Sequence, residues 1–347
     1  MTPRGSRTTV HTMIDASELH RSLLTIDTHI DIPFPDGPSF FDDGKRKVDL
    51  PKMKRGQMAA GCFAAYIAQG LRTPDAYKSA VTRTSAMLTA INAMGATNAG
   101  ARVCVTADEI EKAHADGVTI VVPCVENGQS IGGDVANLAK FYDLGARYLT
   151  LTHFGHNALA DSSNPRGDLN DVPEEHGGLS DLGRSVVGEL NRLGMLVDIA
   201  HTSKKTMMQS ALLSRTPVLS THSCIKALCD NARNVDDEQL DMLAQVGGVV
   251  QVTAVPAFLK TGGKADTVTV ADYCDHVDYA VKRIGIAHVG ISSDFDGGGG
   301  FVGWFDAGES ANITVELVRR GYSASDIAAL WGGNFMRLLR LAETRKG

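Results

Sequence analysis

Eight short apolar runs, each followed by a stretch of helical patterning, set the tightest limit on how this chain can fold. They cover residues 23–31, 58–68, 118–128, 147–155, 194–203, 216–223, 247–256 and 288–297. Several are apolar throughout instead of alternating, as strands are when helices cover both faces of a parallel sheet. Helical patterns lie over 75–94, 107–115, 134–144, 179–193, 203–213, 236–245, 268–284 and 308–320, and one over 323–343 closes the chain. Good starting residues support some of them: Ser180 with Asp181, Ser203 and Thr206, and Asp236 with Asp237 and Glu238. The stretch 33–54 breaks the rhythm with Pro33, Pro35, Gly37, Pro38 and Pro51 and reads as a long loop after the first strand. Residues 1–20 read as an N-terminal extension. The alternation predicts one domain over 1–347, a single (β/α)₈ barrel of the TIM type. A doubly wound open sheet is the competitor, but no G-x-G-x-x-G follows the first strand.

Bulk properties narrow the function. A net charge of −6 and the lack of a long Lys/Arg run argue against nucleic acid or an anionic membrane as partner. No apolar run reaches the ~18–20 residues that span a bilayer. The N-terminus has Arg4 and Arg7 but no apolar segment behind them, so it is not a secretory signal. The expected location is the cytoplasm. Cys62, Cys104, Cys124, Cys224, Cys229 and Cys274 are scattered without a C-x-x-C pair and read as buried thiols.

The chemistry gathers at the ends of the runs. The first ends in Asp27, Thr28, His29, Ile30 and Asp31, and the third in Glu126. The fourth, fifth and sixth carry His153, His201 and His222, and the last carries Asp294 and Asp296. In a barrel all these ends meet at one mouth, where such folds keep their active sites. His29 and Asp31 are two apart on a strand and so point to one side. Imidazole with carboxylate suits a zinc-type ion, and a carboxylate such as Glu126 has two oxygens with which to bridge two ions. Ions about 3.5–4 Å apart can activate a shared water and polarise a carbonyl. Any one of these residues alone reads more simply as structural; six strand ends together do not.

Other features carry less. His156 and His176 read as solvent-facing loop residues, and His11, His20, His114, His276 and His288 lie away from the mouth. Gly297–Gly300 lacks the Lys and Ser/Thr of a phosphate loop and reads as a flexible rim. There is no G-x-S-x-G and no cysteine in a nucleophile's setting.

The pieces IDTHIDIP, VDLPKMKRGQ, CVENGQSI, GARYLTLTH with NALADSS, GGLSDLGRSVVGELNRLGMLVDIAH, PVLSTHS, NARNVDDEQL, VGISSDFDG and GGNFMRLL, in this order over about 25–340, resemble the membrane (renal-type) dipeptidase family of amidohydrolase-like metal hydrolases. The resemblance implies two zinc ions, one held by His29, Asp31 and Glu126 and the other by Glu126, His201 and His222. It implies that His153 binds near the scissile carbonyl, that Arg233 holds the substrate carboxylate and that Asp294 handles the proton. One departure is visible: many relatives have E-G-G-H-S where this chain has Glu126-Asn127-Gly128-Gln129-Ser130. The mammalian relatives are secreted, disulfide-linked and lipid-anchored, whereas this chain looks like the soluble bacterial branch. The implied activity is hydrolysis of dipeptides with a free C-terminal carboxylate, with a D-residue at that position left open. Lactone or N-acyl amino acid hydrolysis in the same barrel is the alternative, and a non-catalytic binding protein a third. A homo-oligomer is left open.

Overall fold

The computed structural model describes residues 15–95 and 100–347, so His11, Arg4 and Arg7 lie outside it. The strands are β1 (Ile26–Asp31), β2 (Ala60–Tyr66), β3 (Ala101–Val103), β4 (Thr119–Glu126), β5 (Tyr148–Thr150), β6 (Leu196–Asp198), β7 (Leu219–Ser223), β8 (Val249–Val252) and β9 (Val289–Ile291). All pairings between them are parallel, in the order β1-β2-β4-β5-β6-β7-β8-β9, with β3 beside β4. The ends meet. Asp31 N donates to Phe295 O at 3.0 Å and Asp294 N donates to His29 O at 3.0 Å, sewing β1 to the chain leaving β9. The result is a (β/α)₈ barrel, and each of the eight apolar runs supplies one of its staves.

The helices are α1 (Ala16–Ser22), α2 (Leu50–Arg55), α3 (Pro74–Met94), α4 (Ala107–Ala115), α5 (Asn137–Asp143), α6 (Asp181–Leu193), α7 (Lys204–Leu213), α8 (Asp237–Val246), α9 (Pro256–Leu259), α10 (Val270–Ile284), α11 (Ala311–Arg319), α12 (Ala324–Ala328) and α13 (Asn334–Thr344). Ser180, Ser203 and Asp236 cap α6, α7 and α8 through their side chains. Two expectations need correction. The loop after β1 ends at Asp49, because Asp49 caps α2 and Pro51 sits in its first turn, where a missing N–H costs nothing. The extension before β1 includes α1, whose His20 is buried against Trp331 and Thr314. β3 was not legible: it has three residues and, among the described residues, pairs with β4 alone.

Alternate residues of the strands feed two apolar clusters, as a period of two requires. Ala60, Cys62, Ile120, Val122, Cys124, Leu196, Leu219 and Val249 form one together with residues of α4 and α13. Phe63, Val121, Val125, Leu149, Val197 and Val250 join the other, with Leu88, Val187, Leu243 and Val277 of the surrounding helices. Glu126 shares the parity of Ile120, Val122 and Cys124, so it points into the barrel mouth above the first cluster. Leu338 is fully buried in that floor, and Leu338→Ala would cost about 2–5 kcal/mol. All six cysteines are buried free thiols. Among the described residues no helix is long and apolar enough to cross a membrane.

Candidate metal centre

Glu126 lies at the end of β4 at the centre of a histidine cluster. Its Oε2 is 3.4 Å from His29 Nε2, and its Oε1 is 3.2 Å from His201 Nε2 and 3.4 Å from His222 Nε2. Asp31 Oδ1 is 3.7 Å from His29 Nε2. His201 and His222 bring their Nε2 atoms within 2.9 Å of each other. Two groups of donors have all their ligand atoms within 4.8 Å: His29, Glu126 and His222, and Glu126, His153 and His201. The structure therefore gathers all the residues singled out at the strand ends for metal binding, with Glu126 common to both groups and His153 among the donors.

The hydrogen bonds behind the ring fix which imidazole nitrogen is free. Tyr148 donates its hydroxyl proton to Thr28 O at 3.1 Å, so at 2.9 Å it accepts from His29 Nδ1. His29 Nε2 is then left as a lone pair, buried and without a hydrogen-bond partner, as is Asp31 Oδ1. The same logic holds for His222. Thr221 Oγ1 donates to Asp198 Oδ2 at 2.7 Å and so accepts from His222 Nδ1 at 2.8 Å. Asp198 is fully buried and also accepts from Thr150 Oγ1 at 2.5 Å and from the amides of Ala200 and Thr221. Such outer partners hold metal-binding imidazoles in one tautomer and orientation. Unpartnered imidazole and carboxylate atoms aimed at one point, with tautomers preset from behind, fit a divalent cation.

Electrostatics agree. Burial drives Glu126 and Asp294 above the usual carboxylate range, Asp294 strongly, and neighbouring carboxylates add to the effect. Burial opposes charge on His29, yet Glu126 and Asp31 outweigh it and push its pKa well up. The carboxylates thus draw positive charge to His29 Nε2. Burial, and then Arg233, hold His201 well below the ordinary histidine value and His153 down to about 3, while burial and then His29 hold His222 well below it, so these rings stay neutral.

Arg233 is buried. It donates from Nη1 to Ser223 Oγ at 2.7 Å and from Nη2 to His222 O, while its Nε is buried without a partner. Burial lowers its pKa to about 10, still charged at neutral pH. Asp294, with φ +59°, faces a cavity of about 300 Å³ together with Asp31, Tyr66, Glu126, His153 and Phe258.

A family model described as membrane dipeptidase, peptidase family M19, matches residues 13–347. The chain belongs to the membrane dipeptidase family. It is a hydrolase of the metallopeptidase type. It is 34% identical over 303 residues to dipeptidase aclJ of Aspergillus oryzae, covering 84% of this chain and 69% of that protein. The structure of the probable dipeptidase PvdM from Pseudomonas aeruginosa superposes with a TM-score of 0.90 at 30% identity, over 95% of this chain and 98% of that one. A Rhodobacter sphaeroides metallopeptidase, solved with a phosphinate mimic of the dipeptide L-Ala-D-Ala, gives 0.81 at 27% identity, over 92% and 99%.

The Asn127–Ser130 departure lies behind this family member's central glutamate. Asn127, at φ +78°, donates from Nδ2 to Ile67 O at 2.9 Å and Gln69 Oε1 at 3.2 Å and accepts from Asn157 Nδ2 at 3.0 Å. Gln129 accepts from Gln69 Nε2 at 3.1 Å and donates to Leu71 O at 3.1 Å. Buried amides thereby tie the loops after β2, β4 and β5 to one another. Sequence reasoning missed Asn127, Gln69 and Asn157, and it also missed Tyr148, Thr221 and Asp198; only the adjacency of Thr221 to His222 offered a hint.

Three expectations change. His156 does not face solvent: it is fully buried, accepting from Ser162 N at 3.0 Å and bonding Val172 O at 2.8 Å. His176 is half-buried on Asn157 O at 2.8 Å. The loop after β5 folds back on itself, with Asp161 accepting from the amides of Glu175, His176 and Gly178. The glycine rim is likewise pinned, since the amides of Gly297, Gly298 and Gly299 all donate to Asp294 O. A Cβ on Gly297 would fall 2.3 Å from Asp294 Oδ1 and 2.8 Å from Asp31 Oδ2, so the bare backbone is what lets these carboxylates approach. Asp296 accepts from the amides of Lys47 and Val48 and anchors the loop after β1.

Proposed function

We propose that the whole chain, as one barrel domain, is a dinuclear zinc dipeptidase acting on dipeptides with a free C-terminal carboxylate. The observation that carries this is Glu126 set among three imidazoles, two of them wired to present Nε2, beside a buried arginine with an unpartnered Nε. His29, Asp31 and Glu126 would hold one ion, and Glu126, His201 and His222 the other. When bound, the ions supply Lewis acidity and lower the pKa of the attacking water.

The remaining steps belong to the side chains. Arg233 offers Nε and the unused protons of Nη1 and Nη2 to the substrate carboxylate in the planar geometry a guanidinium provides. That fixes the adjacent amide over Glu126. His153, neutral across the working pH range, donates its single N–H toward the carbonyl oxygen as negative charge develops there. Water adds to the carbonyl carbon and gives its proton to Asp294. Asp294 passes it to the amine nitrogen as the C–N bond breaks. Two amino acids leave. The Rhodobacter relative's ligand mimics L-Ala-D-Ala, so a D-residue at the C-terminal position belongs in the substrate panel.

The test compares a dipeptide with its C-terminal amide in wild type and in Arg233→Met. Wild type should prefer the free acid by ~1.5–3 kcal/mol, the range of a hydrogen bond to a charged group, and the variant should lose most of that preference. Equal cleavage of acid and amide would reject the carboxylate anchor and move lactone hydrolysis ahead. Elemental analysis should find up to two zinc-type ions per chain, fewer in Glu126→Gln. Full activity in a rigorously metal-free sample would reject the metal centre.

A further inference from the structure

Two asparagines flank Arg233 in the segment Asn231-Ala232-Arg233-Asn234, and both reach α9. Asn234 Nδ2 donates to Phe258 O at 2.8 Å and to Cys229 O at 2.9 Å. Asn231 Nδ2 donates to Ala257 O at 3.4 Å. The short helix is therefore fastened to the arginine segment. Arg233 Cζ lies 5.8 Å from the centre of the Phe258 ring. Phe258 is half-buried and lines the same cavity as Glu126, His153 and Asp294, with Val255 beside it. The strand order puts Arg233 and Phe258, which follow β7 and β8, on one side of the mouth. Asp31 and Tyr66, at the ends of β1 and β2, lie on the other.

Resting on the dipeptidase reading above, with Arg233 as the carboxylate anchor, we infer that Phe258, backed by Val255, contacts the side chain of the substrate's C-terminal residue and selects apolar groups there. A carboxylate held by Arg233 leaves its own Cα next to the guanidinium, and the ring is one side chain's breadth away. Neither Val255 nor Phe258 offers a polar side-chain atom. A polar group placed against them loses water without gaining a partner, whereas an apolar one gains by leaving water. The asparagine ties make the anchor and the ring one unit, so the distance between carboxylate and side-chain subsites is fixed by the fold.

The experiment uses two near-isosteric substrates, Ala-Leu and Ala-Asn, competing in one reaction of zinc-loaded full-length protein, with Ala-Gly run alongside. The ratio of their kcat/KM values does not depend on the fraction of active protein. In wild type Ala-Leu should be favoured by about tenfold or more, the scale on which apolar pockets discriminate. Phe258→Gln should reduce the ratio to less than about threefold, and Phe258→Leu, which keeps an apolar wall, should retain most of it. A wild-type ratio near one, or one unchanged in Phe258→Gln, overturns the Phe258 subsite and leaves the dipeptidase reading standing, provided Ala-Gly is cleaved. If none of the three dipeptides is cleaved, the dipeptidase reading falls and this inference falls with it.

Discussion

Tyr148→Phe removes one oxygen from the floor of the metal centre and keeps the ring. Tyr148 is fully buried on β5, and its hydroxyl joins Thr28 O to His29 Nδ1. Without it, the N–H on His29 Nδ1 loses its 2.9 Å acceptor; its other hydrogen-bond contact among the described residues is Thr221 Oγ1 at 3.5 Å, already engaged with Asp198 and His222. An unsatisfied buried donor costs about 1–3 kcal/mol. The imidazole has two ways to lower that cost, turning or moving its proton to Nε2, and both take the lone pair away from Glu126. At ~1.4 kcal/mol per decade, the affinity for the ion at His29 should fall roughly five- to 150-fold, in line with the 10–100-fold typical of lost outer partners. His222, proposed for the second ion, is held from behind by Thr221 Oγ1 and not by the Tyr148 hydroxyl, so that ion should be held nearly as before. Zinc titration against a competing chelator should resolve one weakened and one unchanged step. Two unchanged steps in a folded variant would refute the tautomer argument, and equal weakening of both would show that the hydroxyl acts on the fold and not on His29.

Asp294→Asn keeps the size of the proposed proton carrier and removes its basicity; kcat should fall by roughly 10²-fold or more with metal content retained, and near-normal kcat would reject the role. Gly297→Ala should displace Asp294 and Asp31 enough to lower kcat/KM by about 10²-fold, the cost of misplacing reacting groups by about an ångström, with little change in melting temperature; unaltered kinetics would show that the rim gives way. His276 is buried on α10, accepting from Ile225 N at 3.0 Å and bonding Leu259 O at 2.9 Å. Burial lowers its pKa, so its contribution is whole above the unfolded value of about 6.5 and is lost as pH falls from there toward the folded value. His276→Gln can keep both bonds without titrating, so its stability deficit in urea should shrink between pH 7.5 and pH 5; a deficit that grows on acidification would contradict the sign.

The barrel was legible because its signal is repeated: eight runs with helices between them leave few ways to bury both faces of a parallel sheet. The candidate ligands were legible because each stands at the end of a run, where a barrel brings distant residues together. What stayed hidden was the layer behind them. Tyr148 and Asp198 lie within apolar strands and look like core positions until their partners across the barrel are known. Asn127, Gln69 and Asn157 come from three loops, and nothing in their local sequence says that their amides meet. His156 was misjudged for the same reason. A loop histidine faces solvent unless the loop closes on itself, and that closure depends on Asp161 finding amides up to 17 residues away.

Charge balance bears on the choice among substrates. Asp31, Glu126 and Asp294 face one cavity, the buried Arg233 acts on Asp294 and Glu126 from a neighbouring one that His201 also lines, and burial keeps His153, His201 and His222 neutral. With His29 neutral as well, that set carries two uncompensated negative charges in a largely buried place, at an effective cost of several kcal/mol per ion. The raised pKa values of Glu126, Asp294 and His29 express the same demand for positive charge in terms of protons. One divalent ion restores neutrality. A second leaves an excess of positive charge, and a cavity in that state favours a ligand that brings an anionic group over one that does not. A lactone brings none. A dipeptide anchored at Arg233, as proposed, would carry its ammonium on the other side, where Asp31 and Tyr66 stand. A carboxylate beside Arg233, which a dipeptide and an N-acyl amino acid both bring, thus answers the sign of the charge and where it lies, and a neutral lactone answers neither.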